Sequence, residues 1–184
     1  MTFNFTRLEI PDLVLITPNL FYDERGYFFE NFHNSDFKKN GVCENFAQEN
    51  FSFSKKNVIR GLHFQKLPKA QSKLITVSLG EIFDVAVDLR KNSSTYGQWI
   101  SEILSENNHK SLFIPEGFAH GFCVLSNEAI VLYKTNQEYS PEHDGGILWN
   151  DPKLNISWPI SNPILSKKDQ NLPLLKNLDY DFDL

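Results

Sequence analysis

The chain has 184 residues, of which 41% are hydrophobic, so it can bury one sizeable core without disulfide or metal staples. Its net charge of −5 and its scattered lysines argue against a nucleic-acid-binding surface. Two cysteines, Cys43 and Cys123, are too few for a disulfide scaffold and indicate free thiols in a reducing compartment. No apolar run approaches the roughly 18 residues of a membrane span, and no secretion signal is visible. We therefore expect one cytoplasmic domain, residues 1–184, that binds neither nucleic acid nor membrane.

The first forty residues predict short strands and one helical turn. Apolar runs between residues 8 and 16 are interrupted by Pro11, which favours strands over a helix. A turn at Arg25-Gly26 leads into an aromatic strand. Ser35 is expected to cap one helical turn that ends before Gly41.

From residue 46 onward, apolar and polar residues alternate with the period of half-buried strands. Lys55-Lys56-Asn57 is predicted to form a hairpin turn with Asn57 in the left-handed conformation. Beyond Tyr139 the pattern weakens into loops, a short helix capped by Ser166 and an acidic tail. Many short strands with little helical period predict an all-β fold, a single jelly-roll barrel with short helical turns and a C-terminal extension. The predicted strands cover residues 46–54, 58–65, 73–79, 82–89, 94–104, 110–114, 119–125 and 129–139.

A cation, a glycine, a histidine and an amide occur together in the stretch Arg60-Gly61-Leu62-His63-Phe64-Gln65. Lys73 begins the next predicted strand, on the side that the strand would bury. A buried lysine costs several kcal/mol unless it is paired or used. Taken alone, each residue is more simply a core histidine or a lysine that reaches solvent. His63 and Lys73 together mark a candidate site.

The same residues argue against a bound metal ion. A metal site in a barrel of this kind would use a His-x-His pair, a following carboxylate and a distant histidine. Here His63 is followed by Gln65, and Lys73 stands where a carboxylate would be. His120 supplies a distant histidine, but a protonated lysine repels a cation. We therefore expect a site without metal.

Histidine, lysine and tyrosine side chains in one pocket suit proton abstraction next to a carbonyl group. His63 fits the base, and Lys73 or a histidine N–H can stabilise the enolate. Tyr133 is a candidate proton donor on the opposite face, although a core tyrosine with a satisfied hydroxyl is the simpler interpretation. On an unbroken strand Tyr133 and Tyr139 would share a face about 20 Å apart. That separation suits a long ligand with chemistry at one end and a stacked flat group at the other.

Nine ordered motifs make the chain resemble the dTDP-4-dehydrorhamnose 3,5-epimerase family from about residue 17 to residue 169. The resemblance implies a homodimeric cupin without metal or other cofactor. Its substrate would be dTDP-4-dehydro-6-deoxy-D-glucose and its product dTDP-4-dehydro-L-rhamnose. The motifs are FxDxRGxFxE from Phe21, QxNxSxS from Gln48, RGLHxQ from Arg60, QxKL from Gln71, DVAVDxR from Asp84, IPxGFAHGF from Ile114, YK at Tyr133, WxDP from Trp149 and SxKD from Ser166.

The resemblance also implies roles for individual residues. His63, oriented by Asp169, would remove the protons at C3 and C5, and Tyr133 would return them on the opposite face. Lys73 would stabilise the enolate oxygen, with His120 nearby. Arg25 and Glu30 would come from the partner subunit, Arg25 and Arg60 would hold the diphosphate, and Tyr139 would stack on the thymine. The implied substrate-binding set is Arg25, Glu30, Gln48, Asn50, Arg60, Lys73, His120, Tyr139, Asp144 and Lys168.

Three points of the sequence fit the resemblance less well. Asp144 replaces a usual glutamate, and Asn57 a common glycine. Arg60 has the opposite strand parity to His63, so both reach one ligand only across a bulge or strand end. A single-centre epimerase on a related nucleotide 4-keto sugar would carry the same residues. A catalytically silent sugar-binding cupin fits less well, because the chain keeps His63, Lys73, Tyr133 and Asp169. A metal-dependent cupin oxygenase fits less well because of Gln65 and Lys73.

Overall fold

The computed structural model describes residues 2–42, 45–180 and 182, and Cys43, Asp181 and Asp183 lie outside them. The described chain is almost entirely strand and loop, with one six-residue helix, α1 (Asn34–Lys39), and 3-10 turns at Asp169–Asn171 and Leu175–Asn177. No helix among these residues is long and apolar enough to cross a membrane. The strands are β1 (Phe3–Arg7), β2 (Val14–Pro18), β3 (Phe21–Asp23), β4 (Gly26–Phe28), β5 (Gln48–Lys55), β6 (Ile59–Gln65), β7 (Lys73–Leu79), β8 (Glu81–Asp88), β9 (Trp99–Ser105), β10 (Ser111–Ile114), β11 (Phe118–Val124), β12 (Glu128–Thr135) and β13 (Asp144–Gly146).

Two antiparallel sheets carry the fold. One has six strands in the order β1-β2-β10-β7-β12-β5, and the other has five in the order β13-β6-β11-β8-β9. Strands β3 and β4 form a separate hairpin. Neighbours in each sheet are mostly distant in sequence, as in jelly rolls. The prediction of an all-β, cupin-like jelly roll is confirmed.

The main core lies between the two sheets. Ile75 and Val131 of the six-stranded sheet belong to the same buried cluster as Ile82 and Leu104 of the five-stranded sheet. Alternate residues of a strand point to the same face, so the period-2 pattern places these apolar side chains together. Burying them is the main favourable contribution to folding.

Both sheets are also covered on their outer faces. The C-terminal extension contributes Leu175 and Phe182 to a second cluster with Leu62 and Val85 of the five-stranded sheet. Phe37 of α1 packs over the outer face of the six-stranded sheet in a third cluster. The first five residues of β7 are therefore buried in succession. This double cover is why Lys73, at the start of β7, is surrounded by protein.

Three local predictions are wrong in detail. Residues 55–57 do not make a hairpin, because β5 pairs with β12 whereas β6 pairs with β11. Asn57 does have positive φ, 65°. Ser35 is not the helix cap, since His33 occupies that position. The strand predicted over 94–104 begins only at Trp99, because the hydroxyls of Ser93 and Thr95 turn back to Asp88.

Candidate active site

A cleft with two adjoining cavities, of about 440 and about 270 Å³, opens between β6 of one sheet and β7 and β12 of the other. Both cavities are lined by His63, Lys73, Tyr133 and Lys168, so they form one continuous site. The residues come from both sheets and from the C-terminal extension. A long ligand can therefore lie across the cleft.

A bulge in β6 brings Arg60 and His63 to the same cavity. His63 is opposite His120 and Arg60 is opposite Phe122, so three steps along β6 match two along β11. The irregularity lies at Gly61, whose φ is 122°. A Cβ there would be 2.5 Å from the Cα of Gly121, so only glycine fits. The bulge that the parity of Arg60 and His63 requires is thus present.

His63 is paired with a carboxylate from the far end of the chain. Its Nε2 lies 2.6 Å from Oδ1 of Asp169, which is buried in the first 3-10 turn. The Asp169 N–H donates to the Ser166 hydroxyl, as a cap would. Burial works to raise the pKa of Asp169. Hydrogen bonds from His63, Ser166 and the Gly61 N–H outweigh it and hold the pKa below the ordinary range. The carboxylate therefore stays charged and fixes the imidazole.

Lys73 is buried, as its strand position predicts, with 8% of its surface exposed. Its Nζ donates to the main-chain oxygen of His63 at 3.2 Å. Burial lowers its pKa to about 8, although the charges of Asp84 and Asp144 act in the opposite direction. The ammonium group is therefore mostly charged at neutral pH and loses its proton as the pH rises through about 8.

Asp84, to which the sequence reasoning gave no role, completes a second pair. Its Oδ1 lies 2.8 Å from Nε2 of His120, and both side chains are buried. Its Oδ2 has no hydrogen-bond partner among the described residues. Burial lowers the pKa of His120, against the opposing effect of Asp84. A carboxylate flanked by apolar residues on the inner face of β8 was the available sequence signal.

Tyr133 faces the cleft from the sheet opposite His63. It lies on β12 of the six-stranded sheet, whereas His63 lies on β6 of the five-stranded sheet. Burial raises the pKa of its hydroxyl, against the opposing charge of Arg60. The phenol therefore keeps its proton at neutral pH and can donate it.

Besides Lys73, the second cavity brings together five residues of the implied substrate-binding set. The Tyr139 hydroxyl donates to Asp144 at 3.1 Å, and Lys168 also contacts this carboxylate. Tyr139 does not continue the strand of Tyr133, because β12 ends at Thr135. The 20 Å spacing of an unbroken strand therefore does not apply, although both rings line the cavity. The five residues are Gln48, Asn50, Tyr139, Asp144 and Lys168.

The ligand contacts implied for Arg60, Arg25 and Glu30 have different outcomes in the single chain. Arg60 lines the larger cavity, where its Nε donates to the Ser54 hydroxyl at 2.9 Å. Arg25 lies in the β3–β4 hairpin, paired with Asp23 and 86% exposed. Neither Arg25 nor Glu30 lines the two cavities. One chain alone therefore does not bring them to the site.

Within the ranges that the structure describes, no three His, Cys, Asp or Glu side chains are grouped as metal ligands. The Gln65 amide, at the second position of a metal-binding pair, is instead bonded to main-chain groups. The expectation of a site without metal stays a prediction.

Comparison with known proteins gives a consistent result. The family model for dTDP-4-dehydrorhamnose 3,5-epimerase matches residues 7–177. A dTDP-4-dehydrorhamnose 3,5-epimerase of Shigella flexneri is 51% identical over 96% of this chain and 98% of its own length. The enzyme of Bacillus anthracis, solved with TDP and pyrophosphate bound, is 50% identical with a TM-score of 0.92, covering 94% of this chain and 99% of that one. A dTDP-6-deoxy-D-glucose-3,5-epimerase of Legionella pneumophila, solved with dTDP-4-keto-L-rhamnose, is 44% identical with a TM-score of 0.93, covering 96% of this chain and 95% of that one.

The fold and the relatives define this class of protein as an isomerase, and one cleft of the fold holds a His–Asp pair, a buried lysine and a tyrosine. The chain belongs to the dTDP-4-dehydrorhamnose 3,5-epimerase family, whose members are epimerases of nucleotide sugars.

Proposed function

We propose that this protein converts dTDP-4-dehydro-6-deoxy-D-glucose to dTDP-4-dehydro-L-rhamnose by inverting C3 and C5. The observation that carries the proposal is that His63 and Tyr133 face one cleft from opposite sheets, with the Lys73 ammonium beside them. Inversion of a carbon next to a carbonyl requires a base on one side, an acid on the other and a cation for the enolate. The cleft offers all three.

His63 removes the proton. Its Nε2 is engaged by Asp169, so the other ring nitrogen, Nδ1, is left to accept a proton from the sugar. The charged carboxylate stabilises the imidazolium that forms, as the aspartate does in a catalytic triad. One base serves both carbons if the sugar ring presents C3 and C5 in turn.

Lys73 stabilises the enolate oxygen at C4. Only one of its three N–H groups is directed at the His63 carbonyl, so others remain for the substrate oxygen. His120, held by Asp84, lines the same cavity. Because these groups are buried, their field acts on the developing charge with little screening by water.

Tyr133 returns the proton to the face opposite His63. Its raised pKa keeps the phenol protonated before the step. Arg60 then binds the diphosphate, since a guanidinium group matches phosphate oxygens. Gln48, Asn50, Tyr139, Asp144 and Lys168 surround the nucleotide in the second cavity.

The active protein is a homodimer in which Arg25 and Glu30 complete the partner's site. The β3–β4 hairpin that carries Arg25 also exposes Phe28 (67%), and β5, a sheet-edge strand, exposes Phe51 (64%) and Phe53 (48%). Exposed aromatic groups of this extent mark a protein–protein interface. We expect light scattering to give twice the mass of the chain. The free thiols inferred from the sequence support a cytoplasmic location.

Turnover in D₂O tests the reaction. We expect the product to carry deuterium at both C3 and C5, because each inverted carbon receives its proton from exchangeable groups. Mass spectrometry and NMR of the product read the label. Deuterium at C3 alone would show a single-centre epimerase, and no deuterium at either carbon would exclude the epimerase.

Two variants test the division of roles in the same assay. His63→Ala should abolish solvent exchange. Tyr133→Phe should still exchange protons but form little inverted product, since abstraction is intact and delivery is impaired. A Tyr133→Phe enzyme with wild-type product formation would contradict its role as the acid.

A further inference from the structure

Gln65 lies behind the wall of the cleft, at the end of β6 and two residues after His63. It is 3% exposed and lines neither cavity. Any effect of this side chain on the reaction must therefore act through residues that it holds.

The Gln65 amide makes three hydrogen bonds, all to the main chain. Its Oε1 accepts from the Ser140 N–H at 2.7 Å. Its Nε2 donates to the Glu138 oxygen at 3.3 Å and to the Lys69 oxygen at 2.7 Å. Glu138 and Ser140 flank Tyr139, so one planar amide binds the main chain on both sides of that residue, much as a neighbouring strand would.

Tyr139 depends on its main chain for orientation. The residue is 55% exposed, and its ring stacks on no other ring among the described residues. Its hydroxyl donates to Asp144, and its N–H donates to Oε1 of Gln48 at 2.8 Å. The course of residues 138–140 fixes the Cα–Cβ bond of Tyr139, and with it the range of positions that the ring can reach.

We propose that Gln65 is a positioning residue for nucleotide recognition, holding residues 138–140 so that the Tyr139 ring is ready to stack on the base. The proposal rests on the proposed function, because it takes the ligand of Tyr139 to be the pyrimidine of a nucleoside diphosphate. Preorganisation of this kind raises affinity by removing the ordering cost of binding.

Loss of the Gln65 amide should weaken nucleotide binding without slowing the chemical step. Without it the Ser140 N–H loses a buried acceptor, and the Glu138 and Lys69 oxygens lose a donor. Residues 138–140 then sample other conformations, and each binding event must order them again. His63, Lys73 and Tyr133 keep their own contacts, so KM should rise while kcat is retained.

The test compares Gln65→Met with Gln98→Met, an exposed glutamine outside the cleft. Methionine has similar length and no strong donor or acceptor. We expect the Kd for dTDP, measured by calorimetry, and the KM for the sugar nucleotide to rise about tenfold, as for a weakened base–aromatic stack. The kcat should stay within about twofold. Gln65→Glu, which keeps the acceptor but sets a carboxylate against two carbonyl oxygens, should weaken binding at least as much.

Two further measurements show whether Gln65 acts through Tyr139. In Gln65→Met/Tyr139→Leu the Kd should equal that of Tyr139→Leu alone, because the ring to be positioned is gone. Hydrogen exchange of the peptide around residues 138–142, without ligand, should be faster in Gln65→Met than in wild type. Additive losses, or unchanged exchange and Kd, would overturn the proposal. If the wild type binds dTDP but leaves the 4-keto sugar unchanged, the proposed function fails while the Kd series still decides the role of Gln65.

Discussion

At the residue scale, Lys73 combines a charge needed for chemistry with a position that disfavours charge. Burial lowers its pKa to about 8, and Asp84 and Asp144 oppose that effect. The protonated form stabilises the enolate, so kcat/KM should fall as the pH rises through about 8. A fall of kcat/KM in this pH range would show that Lys73 works in its protonated form.

Asp84→Asn should move the alkaline limb to lower pH. Removing the negative charge leaves the desolvation of Lys73 less opposed, so its pKa falls further and the charged form is lost earlier. The measurement is kcat/KM against pH from 6 to 10. Asp12→Asn, a change outside the cleft, serves as the control and should leave the limb in place. A limb that stays, or moves to higher pH, would contradict the assignment.

The sequence was a good guide to residues with a strong local pattern and a poor one to residues defined by partners. Lys73 was predicted to be buried because it shares a strand face with apolar neighbours. Asp84 received no role, since its contact with His120 forms only when β8 and β11 pair. The position of Gln65 was noticed, but its main-chain partners lie in two loops whose courses no periodicity predicts.

At the element scale, the bulge in β6 decides which side chains share the cleft. Gly61 has φ 122° and lies against the main chain of β11. The main chain of the same glycine also helps to lower the pKa of Asp169. The bulge therefore places Arg60, His63 and Asp169, the partner of His63, in one cleft.

Gly61→Ala should lower the free energy of unfolding by about 3 kcal/mol or more, because backbone strain adds to a steric clash. Gly26→Ala is the matched control, with φ 129° but nothing within 4 Å of the added Cβ. It should cost about 1 kcal/mol from strain alone. Urea unfolding monitored by tryptophan fluorescence compares the two. Equal losses would mean that the contact with Gly121 is not what excludes a side chain.

The strands and turns were likewise predicted where they depend on neighbouring residues and missed where they depend on distant ones. Alternation located nearly every strand, and Asn57 adopts the left-handed turn predicted from its type. The turn at residues 55–57 was assigned to a hairpin from its residue types alone. In a jelly roll the chain crosses between sheets at such a turn, and only the complete topology distinguishes the two.

At the scale of the whole molecule, the proposed dimer predicts complementation between two inactive variants. Arg25→Ala lacks the residue offered to the partner's site, and His63→Ala lacks its own base. A heterodimer of the two contains one complete site, formed by His63 of one chain and Arg25 of the other. Co-expressed in equal amounts, the pair should recover about a quarter of wild-type activity, since half of the dimers are mixed and each has one site of two.

The control for complementation is His63→Ala co-expressed with Tyr133→Phe. Both residues act within their own chain's cleft, so each site of that mixed dimer lacks one of them and activity should not return. Recovery in the control, or none with Arg25→Ala, would contradict a site shared between subunits.

The pairing of His63 with Asp169 also orders events during synthesis. The two residues are 106 positions apart, and every strand of both sheets precedes residue 147. As the chain emerges from the ribosome, the sheets have all their strands before the partner of the base exists. A product truncated before residue 169 would hold the sheet residues of the cleft without a poised base. Activity is therefore acquired only after residue 169 has been added, and termination before it yields an inert chain instead of a weaker enzyme.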